Sequence, residues 1–299
     1  MRPRSAVRHH RTVRVDDPAR SGTSELPDGR LLGWAEWGPR DGVPVLLVPG
    51  AATSRSLGAD TGAVDALGVR LISVDRPGLG ASSPAPDRTF ASFADDIRRF
   101  ADLRGLGRLP AVANSQGAPF ALACAAVGAV GALAVVSGAD EVAAPEFRAL
   151  LPADLRGLVD AVAADRAAAA ERLAGFGADA MWAMVTSGAP DADLAVYREP
   201  GFERAYRRAL AEGFAQGPEG YARDTVLAMG RWPFDPARIA VPVDLWYGAL
   251  DTAHSPDNGA ALAGRIPGAL RHVIPGAGGS LLWTHSEDIL RTLLARAAG

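Results

Sequence analysis

Short runs of apolar residues recur along the chain and predict the strands of one sheet. Each run is bounded by turn-forming residues such as Gly, Pro and Asp. Mostly apolar runs of this length are typical of strands that are covered on both faces, as in a parallel sheet. The predicted strands lie at residues 30–37, 43–48, 69–74, 111–113, 133–136, 241–247 and 270–274.

Between these runs the apolar residues take a spacing of three to four positions, which predicts helices. In residues 89–106, for example, Phe93, Ile97 and Phe100 recur at this spacing. Further helices are predicted at residues 115–127 and 289–297. The alternation of strands and helices predicts an α/β fold, with a mostly parallel central sheet flanked by helices.

One long stretch interrupts the alternation. Between residues 140 and 238 no segment has the pattern of a sheet strand, and Ala-rich helical segments dominate, at residues 158–176 and 202–214. A helical insertion of this size between two strands predicts a cap over a site. We therefore expect a disordered basic tail at residues 1–20, a core formed by 21–139 and 239–299, and a helical cap at 140–238.

The composition of the chain argues against several classes of ligand and partner. The net charge of -3 and the pI near 6.0 argue against a nucleic-acid binder. Cys124 is the only cysteine, so the chain can form neither an internal disulfide nor a metal site built from several cysteines. No uncharged stretch suits a membrane span, and the N-terminus lacks the apolar segment of a secretory signal. We expect a cytoplasmic protein with no cofactor and no metal; the sequence does not indicate its oligomeric state.

The segment from Ala113 to Gly117, ANSQG, lies between a predicted strand and a predicted helix and matches the pattern small-x-Ser-x-small. Small neighbours allow Ser115 to occupy a strained turn with its Oγ exposed. The backbone N–H of Gln116, at the start of the helix, can then face a developing oxyanion. The alternative interpretation is a serine that caps an ordinary helix.

Two further motifs end predicted strands. Residues 48–52 read VPGAA, and residues 75–82 read DRPGLGAS. With these motifs in this order, the chain resembles the α/β-hydrolase superfamily over roughly residues 26–298. The resemblance implies the α/β-hydrolase fold, a nucleophilic Ser115, and an oxyanion hole formed by the backbone N–H groups of Ala51 and Gln116.

The resemblance also assigns an acid and exposes a departure. Asp251 follows the predicted strand LWYG at the position of the family's acid, and Asp140 is an alternative acid. The family's catalytic histidine belongs in the segment IPGAGGSLLW, where this chain has Gly279. The candidate bases are His254, three residues after Asp251, and His285, six residues after Gly279.

The absence of a histidine at position 279 affects the activity that we expect. We expect neither His254 nor His285 to contact Asp251 and Ser115 together, so that turnover is slow and Gly279→His raises it. The primary hypothesis is a serine esterase that acts on a small apolar ester or related acyl compound through an acyl-Ser115 intermediate. The alternatives are a catalytically weakened ligand-binding protein, and a cyclase or lyase of secondary metabolism.

Overall fold

An eight-stranded, mostly parallel sheet forms the centre of the computed structural model, which describes residues 13–299. The strands are β1 (Arg20–Glu25), β2 (Leu31–Trp37), β3 (Val43–Val48), β4 (Val69–Val74), β5 (Pro110–Asn114), β6 (Ala132–Val136), β7 (Val243–Gly248) and β8 (Leu270–Ile274). Their spatial order is β1-β2-β4-β3-β5-β6-β7-β8. Strand β2 pairs antiparallel with β1 and β4, and the remaining neighbours pair in parallel. The predicted fold class is confirmed.

Helices cover both faces of this sheet. They are α1 (Thr61–Ala66), α2 (Phe90–Leu103), α3 (Gly117–Ala126), α4 (Ala153–Ala164), α5 (Arg166–Leu173), α6 (Ala178–Thr186), α7 (Asp191–Tyr197), α8 (Pro200–Gly213), α9 (Glu219–Met229), α10 (Ala260–Arg265), α11 (Leu281–Thr284) and α12 (Ser286–Ala297). Across residues 13–299 no helix is both long enough and apolar enough to span a membrane.

The register of the parallel strands places their carboxyl ends along one edge of the sheet. Asn114, the last residue of β5, lies opposite Val136 of β6, and Val136 lies opposite Trp246 of β7. Strands β5, β6 and β7 are buried along almost their whole length, which the continuous apolar runs require. The loops that leave these three strands therefore meet at one place, where open α/β sheets bind their ligands.

Between β6 and β7 the described chain contains helices and turns only. Over residues 158–176, which the sequence predicts to be helical, the structure has the second half of α4 and the whole of α5. Asp165 separates them because its backbone is extended, and its carboxylate caps α5 by accepting the N–H groups of Ala167 and Ala168. Below, residues 140–238 are called the helical insertion.

The predicted disordered tail extends too far along the chain. Arg14 accepts the N–H of Thr61 through its carbonyl and binds Asp65 at 2.9 Å through its guanidinium. Strand β1 begins at Arg20 and pairs with β2 at the sheet edge, where its side chains alternate between half-buried and exposed. Such an edge strand carries no apolar run, so the hydrophobic pattern did not predict it. The remainder of the predicted tail, residues 1–12, lies outside the described residues.

Candidate active site

Ser115 occupies a sharp turn between β5 and α3, as the ANSQG motif predicts. Its backbone φ is 50°, in the left-handed region that non-glycine residues seldom adopt. Glycine at position 117 lets the start of α3 approach the end of β3, because a Cβ there would lie 2.3 Å from the carbonyl oxygen of Val48. Ser115 is half-buried and lines a cleft at the carboxyl edge of the sheet.

The imidazole of His254 lies between Ser115 and Asp251 and contacts both. Its Nε2 is 3.0 Å from Ser115 Oγ, and its Nδ1 is 2.9 Å from each carboxylate oxygen of Asp251. The expectation that neither candidate histidine meets both contacts is therefore wrong. In this arrangement a neutral imidazole can accept the serine proton while the carboxylate holds the ring and stabilises the imidazolium.

A closed turn after β7 brings His254 back over Asp251. The N–H of Ala253 donates to Asp251 Oδ1 at 3.1 Å, which folds the chain over the carboxylate. On the far side, the N–H of Asp140 donates to the carbonyl of His254 at 3.1 Å, and Ser255 Oγ donates to Asp140 at 2.9 Å. Asp140, the alternative acid, thus binds the backbone of the turn, and the carboxylate that contacts the imidazole is that of Asp251.

Gly279 is close to this imidazole. A Cβ on Gly279 would lie 3.1 Å from Cε1 of His254 and 3.7 Å from Asp251 Oδ2. The imidazole of His254 therefore fills the space that the sequence leaves empty at Gly279. Contrary to the expectation from the sequence, Gly279→His should therefore lower turnover, because the new side chain and the existing ring would compete for one volume.

The structure does not bring His285 into the cleft. It lies at the junction of α11 and α12, where its Nδ1 is 2.9 Å from the hydroxyl of Thr284. His285 is the only residue between α11 and α12, so no loop is available to return it towards Ser115. His272, in β8, pairs with Asp244 at 2.8 Å. His9 and His10 lie outside the described residues.

The charges of the site favour an ionised Asp251 beside a basic His254. Burial raises the pKa of the Asp251 carboxyl, but the charge and hydrogen bond of His254 and the N–H of Ala253 outweigh it, so the pKa is lowered. Burial lowers the pKa of His254, but the charge and hydrogen bond of Asp251 raise it above its ordinary 6.5. Burial also raises the pKa of Asp140 to about 6.

The two backbone N–H groups predicted for an oxyanion hole, those of Ala51 and Gln116, both belong to residues that line the cleft with Ser115. No hydrogen bond within residues 13–299 uses either group. The loop that carries Ala51 lies against the serine turn, since a Cβ on Gly50 would be 3.3 Å from the Cβ of Ser115. Both N–H groups are therefore without a partner among residues 13–299 and belong to segments that border Ser115.

The cleft has a volume of about 490 Å³ and mainly apolar walls. One wall is the carboxyl edge of the sheet, and the other is the helical insertion. The apolar and aromatic side chains that line it are Val142, Leu155, Leu158, Met181, Met184, Val185, Tyr197, Tyr206, Tyr221, Met229, Leu250 and Trp283. The volume suits a ligand of moderate size.

Sequence reasoning missed the buried charges that attach the insertion to the loops of the site. Arg76, 1% exposed, donates to the carbonyls of Pro49 and Gly50 and pairs with Asp224 of α9 at 2.7 Å. Asp193 of α7 accepts the N–H of Gly279. For Arg76 the DRPGLGAS motif was a signal, but both aspartates lie in helices whose sequence carries no motif.

The chain matches one family model and is similar in fold to solved hydrolase structures. A family model for the alpha/beta hydrolase fold matches residues 43–286. A hydrolase from Pseudomonas aeruginosa PA01 aligns with a TM-score of 0.68 and 19% identity over 92% of this chain and 98% of its own. An esterase from Rhodococcus sp. ECU1013 aligns with a TM-score of 0.67 and 19% identity over 92% and 98%.

A thermophilic esterase from Thermogutta terrifontis aligns with a TM-score of 0.67 and 22% identity over 94% of this chain and 100% of its own. At these identities the solved structures support the fold alone. No curated protein matches this chain by sequence. The family model covers most of the chain and includes the serine turn, the Asp251 loop and Gly279. The chain therefore belongs to the α/β-hydrolase-fold family.

Proposed function

We propose that the protein is a serine hydrolase that cleaves a carboxylic ester of an apolar acyl group, with Ser115 as nucleophile, His254 as general base and Asp251 as the acid that orients it. One observation carries the proposal: a single imidazole lies 3.0 Å from Ser115 Oγ and 2.9 Å from Asp251. These distances are within the reach that proton transfer requires.

The reaction proceeds in two halves. His254 accepts the proton of Ser115 as Oγ attacks the ester carbonyl, and the N–H groups of Ala51 and Gln116 stabilise the oxyanion. His254 then gives the proton to the leaving alcohol, which forms the acyl enzyme on Ser115. In the second half a water molecule, deprotonated by His254, releases the acid and restores the hydroxyl.

The cleft supports an apolar acyl substrate. Leu158, Met181 and Met229 line it, and the flexible side chains of methionine adapt to acyl groups of different shape. The alternative of a protein weakened by a missing base has less support, because His254 lies within hydrogen-bond distance of both Ser115 Oγ and Asp251.

Covalent labelling tests the proposal directly. A fluorophosphonate probe should label wild type on Ser115, as identified by peptide mass spectrometry, and Ser115→Ala should not be labelled. The control is Ser187→Ala, which removes another hydroxyl that lines the cleft. Wild type and Ser187→Ala should also hydrolyse p-nitrophenyl esters, and Ser115→Ala should not. A wild-type protein that neither labels nor hydrolyses these esters would favour a ligand-binding, cyclase or lyase role.

A further inference from the structure

A carboxylate from the helical insertion reaches the segment that lies against His254. Asp193, in the first turn of α7, is 2% exposed. It accepts the N–H of Gly279 at 2.6 Å and the N–H of Ser280 at 3.1 Å. A buried carboxylate that accepts two N–H groups fixes the backbone it binds, because either group would be costly to leave unpaired.

The Gly278-Gly279 pair forms a thin layer between Asp193 and His254. A Cβ on Gly278 would lie 2.2 Å from Asp193 Oδ2, whereas a Cβ on Gly279 would lie 3.1 Å from Cε1 of His254. Each glycine therefore allows a different functional group to approach the backbone. Only the backbone of Gly278 and Gly279 therefore separates the Asp193 carboxylate from the imidazole.

We propose that Asp193 is a positioning residue for His254: it holds the Gly278-Gly279 segment against the imidazole and adds a second negative charge that favours the imidazolium formed during ester attack. This inference rests on the proposed function, because it assigns Asp193 a role through the base of that reaction. The hydrogen bonds of the Asp193 carboxylate go to the backbone of Gly279 and Ser280, so its role is exerted through His254.

Titratable groups near the imidazole lie on several elements. Asp251 lies on its own turn, Asp193 and Tyr197 lie on α7, and Asp140 lies in the loop that follows β6. Burial lowers the pKa of His254, and the charges of Asp251 and, after it, Asp193 raise it. The carboxylate of Asp140 is bound to Ser255, and burial keeps Tyr197 neutral by raising the pKa of its hydroxyl.

The charge of Asp193 separates a positioning role from a purely structural one. Ester attack needs neutral His254, so the labelling rate of Ser115 rises with pH through the pKa of His254. Removal of a nearby negative charge lowers that pKa and moves the acid limb of the profile to lower pH. A side chain that only braced the fold would change the plateau rate or the stability and leave the midpoint of the limb unchanged.

The experiment is the rate of fluorophosphonate labelling of Ser115 from about pH 5 to about pH 9, a range that spans the titration of histidine. In Asp193→Asn we expect the midpoint to fall by about half a pH unit or more, with a lower plateau. Asp191→Asn is the matched control, because it removes an exposed charge from the same turn of α7 and should leave the midpoint in place.

Asp193→Glu keeps the charge while it displaces the carboxylate, so the plateau should fall with a midpoint near that of wild type. If Asp193→Asn does not fold, Asp193→Ser replaces it, since a hydroxyl still accepts one N–H. An unchanged midpoint in the neutral variants would overturn the role of Asp193 while wild-type labelling still supported the proposed function. Absence of labelling in wild type would overturn both.

Discussion

The reactivity of Ser115 depends on the protonation of one imidazole. Because the charge of Asp251 holds the pKa of His254 above its ordinary 6.5 despite burial, the imidazolium persists to higher pH than in a free side chain. The imidazolium cannot accept a proton, so activity is lost as the pH falls through this pKa. We predict that the acid limb of kcat/KM for p-nitrophenyl acetate has its midpoint above 6.5. A midpoint below that value would place another group in the role of base.

The absence of a side chain at Gly279 leaves room for the imidazole of His254. We predict that Gly279→Ala lowers kcat/KM by roughly 10- to 100-fold, because a methyl group 3.1 Å from His254 Cε1 shifts the ring from Ser115. The control is Gly264→Ala in α10, where the added methyl group meets open space. Gly279→His should be less active still; an increase would mean that His254 is not the working base.

At the scale of elements, helix α9 is attached to the core through a buried cluster of charges. Asp224 pairs with Arg76 at 2.7 Å and with Arg88 at 2.6 Å, and all three side chains are almost fully buried. Arg76 in turn binds the two carbonyls that precede Ala51. Loss of the shared carboxylate would leave two buried guanidinium groups without a counter-charge.

We predict that Asp224→Ala lowers the free energy of unfolding by about 3–5 kcal/mol, the usual cost of breaking a buried ion pair from one side. Urea unfolding followed by circular dichroism measures it. Asp95→Ala is the control, because its pair with Arg99 is exposed and contributes little. Equal effects of the two substitutions would show that the buried cluster does not hold α9 to the core.

The mostly apolar runs predict the strands well, and β3, β4 and β8 have the bounds that the sequence predicts. The strands β3 and β4 were predicted with the bounds they have in the structure, because both of their faces are buried. Strand β1 was missed, since an edge strand needs no apolar run. The break at Asp165 was missed because Ala-rich sequence on both sides favours helix, and a single capping carboxylate decides where one helix ends.

The base of the site was uncertain for a different reason. Its position follows from hydrogen bonds between segments distant in sequence, such as that from the N–H of Asp140 to the carbonyl of His254. Spacing within the chain does not reveal these bonds. A local signal did exist: Asp251 and His254 are three residues apart, and Gly278-Gly279 leaves space beside them. Ser115 and Asp251 were easier to identify, because each directly follows an apolar strand.

At the scale of the whole molecule, the helical insertion contributes to every loop of the site. Asp193 binds the Gly279 segment, Asp224 acts through Arg76 on the loop before Ala51, and Thr225 accepts a hydrogen bond from the side chain of Gln116 at 3.0 Å. The cleft is therefore formed by the helical insertion together with the loops at the carboxyl edge of the sheet.

A cleft with one wall from the insertion predicts that substitutions there change substrate size preference. We predict that Leu158→Trp, on the α4 wall, lowers kcat/KM for p-nitrophenyl esters of longer acyl chains by roughly tenfold, and much less for the acetate ester. The exposed Leu150→Trp, outside the cleft, is the control. An equal loss for all chain lengths would indicate that the acyl group does not bind against α4.

The measurement that tests the central claim most directly is kcat/KM for p-nitrophenyl acetate in His254→Ala beside His285→Ala. If His254 is the base that activates Ser115, its removal lowers the value by roughly 10⁴-fold or more, and the loss of His285 leaves it close to wild type. Hydrolysis that persists in His254→Ala, or that collapses in His285→Ala, would contradict the account.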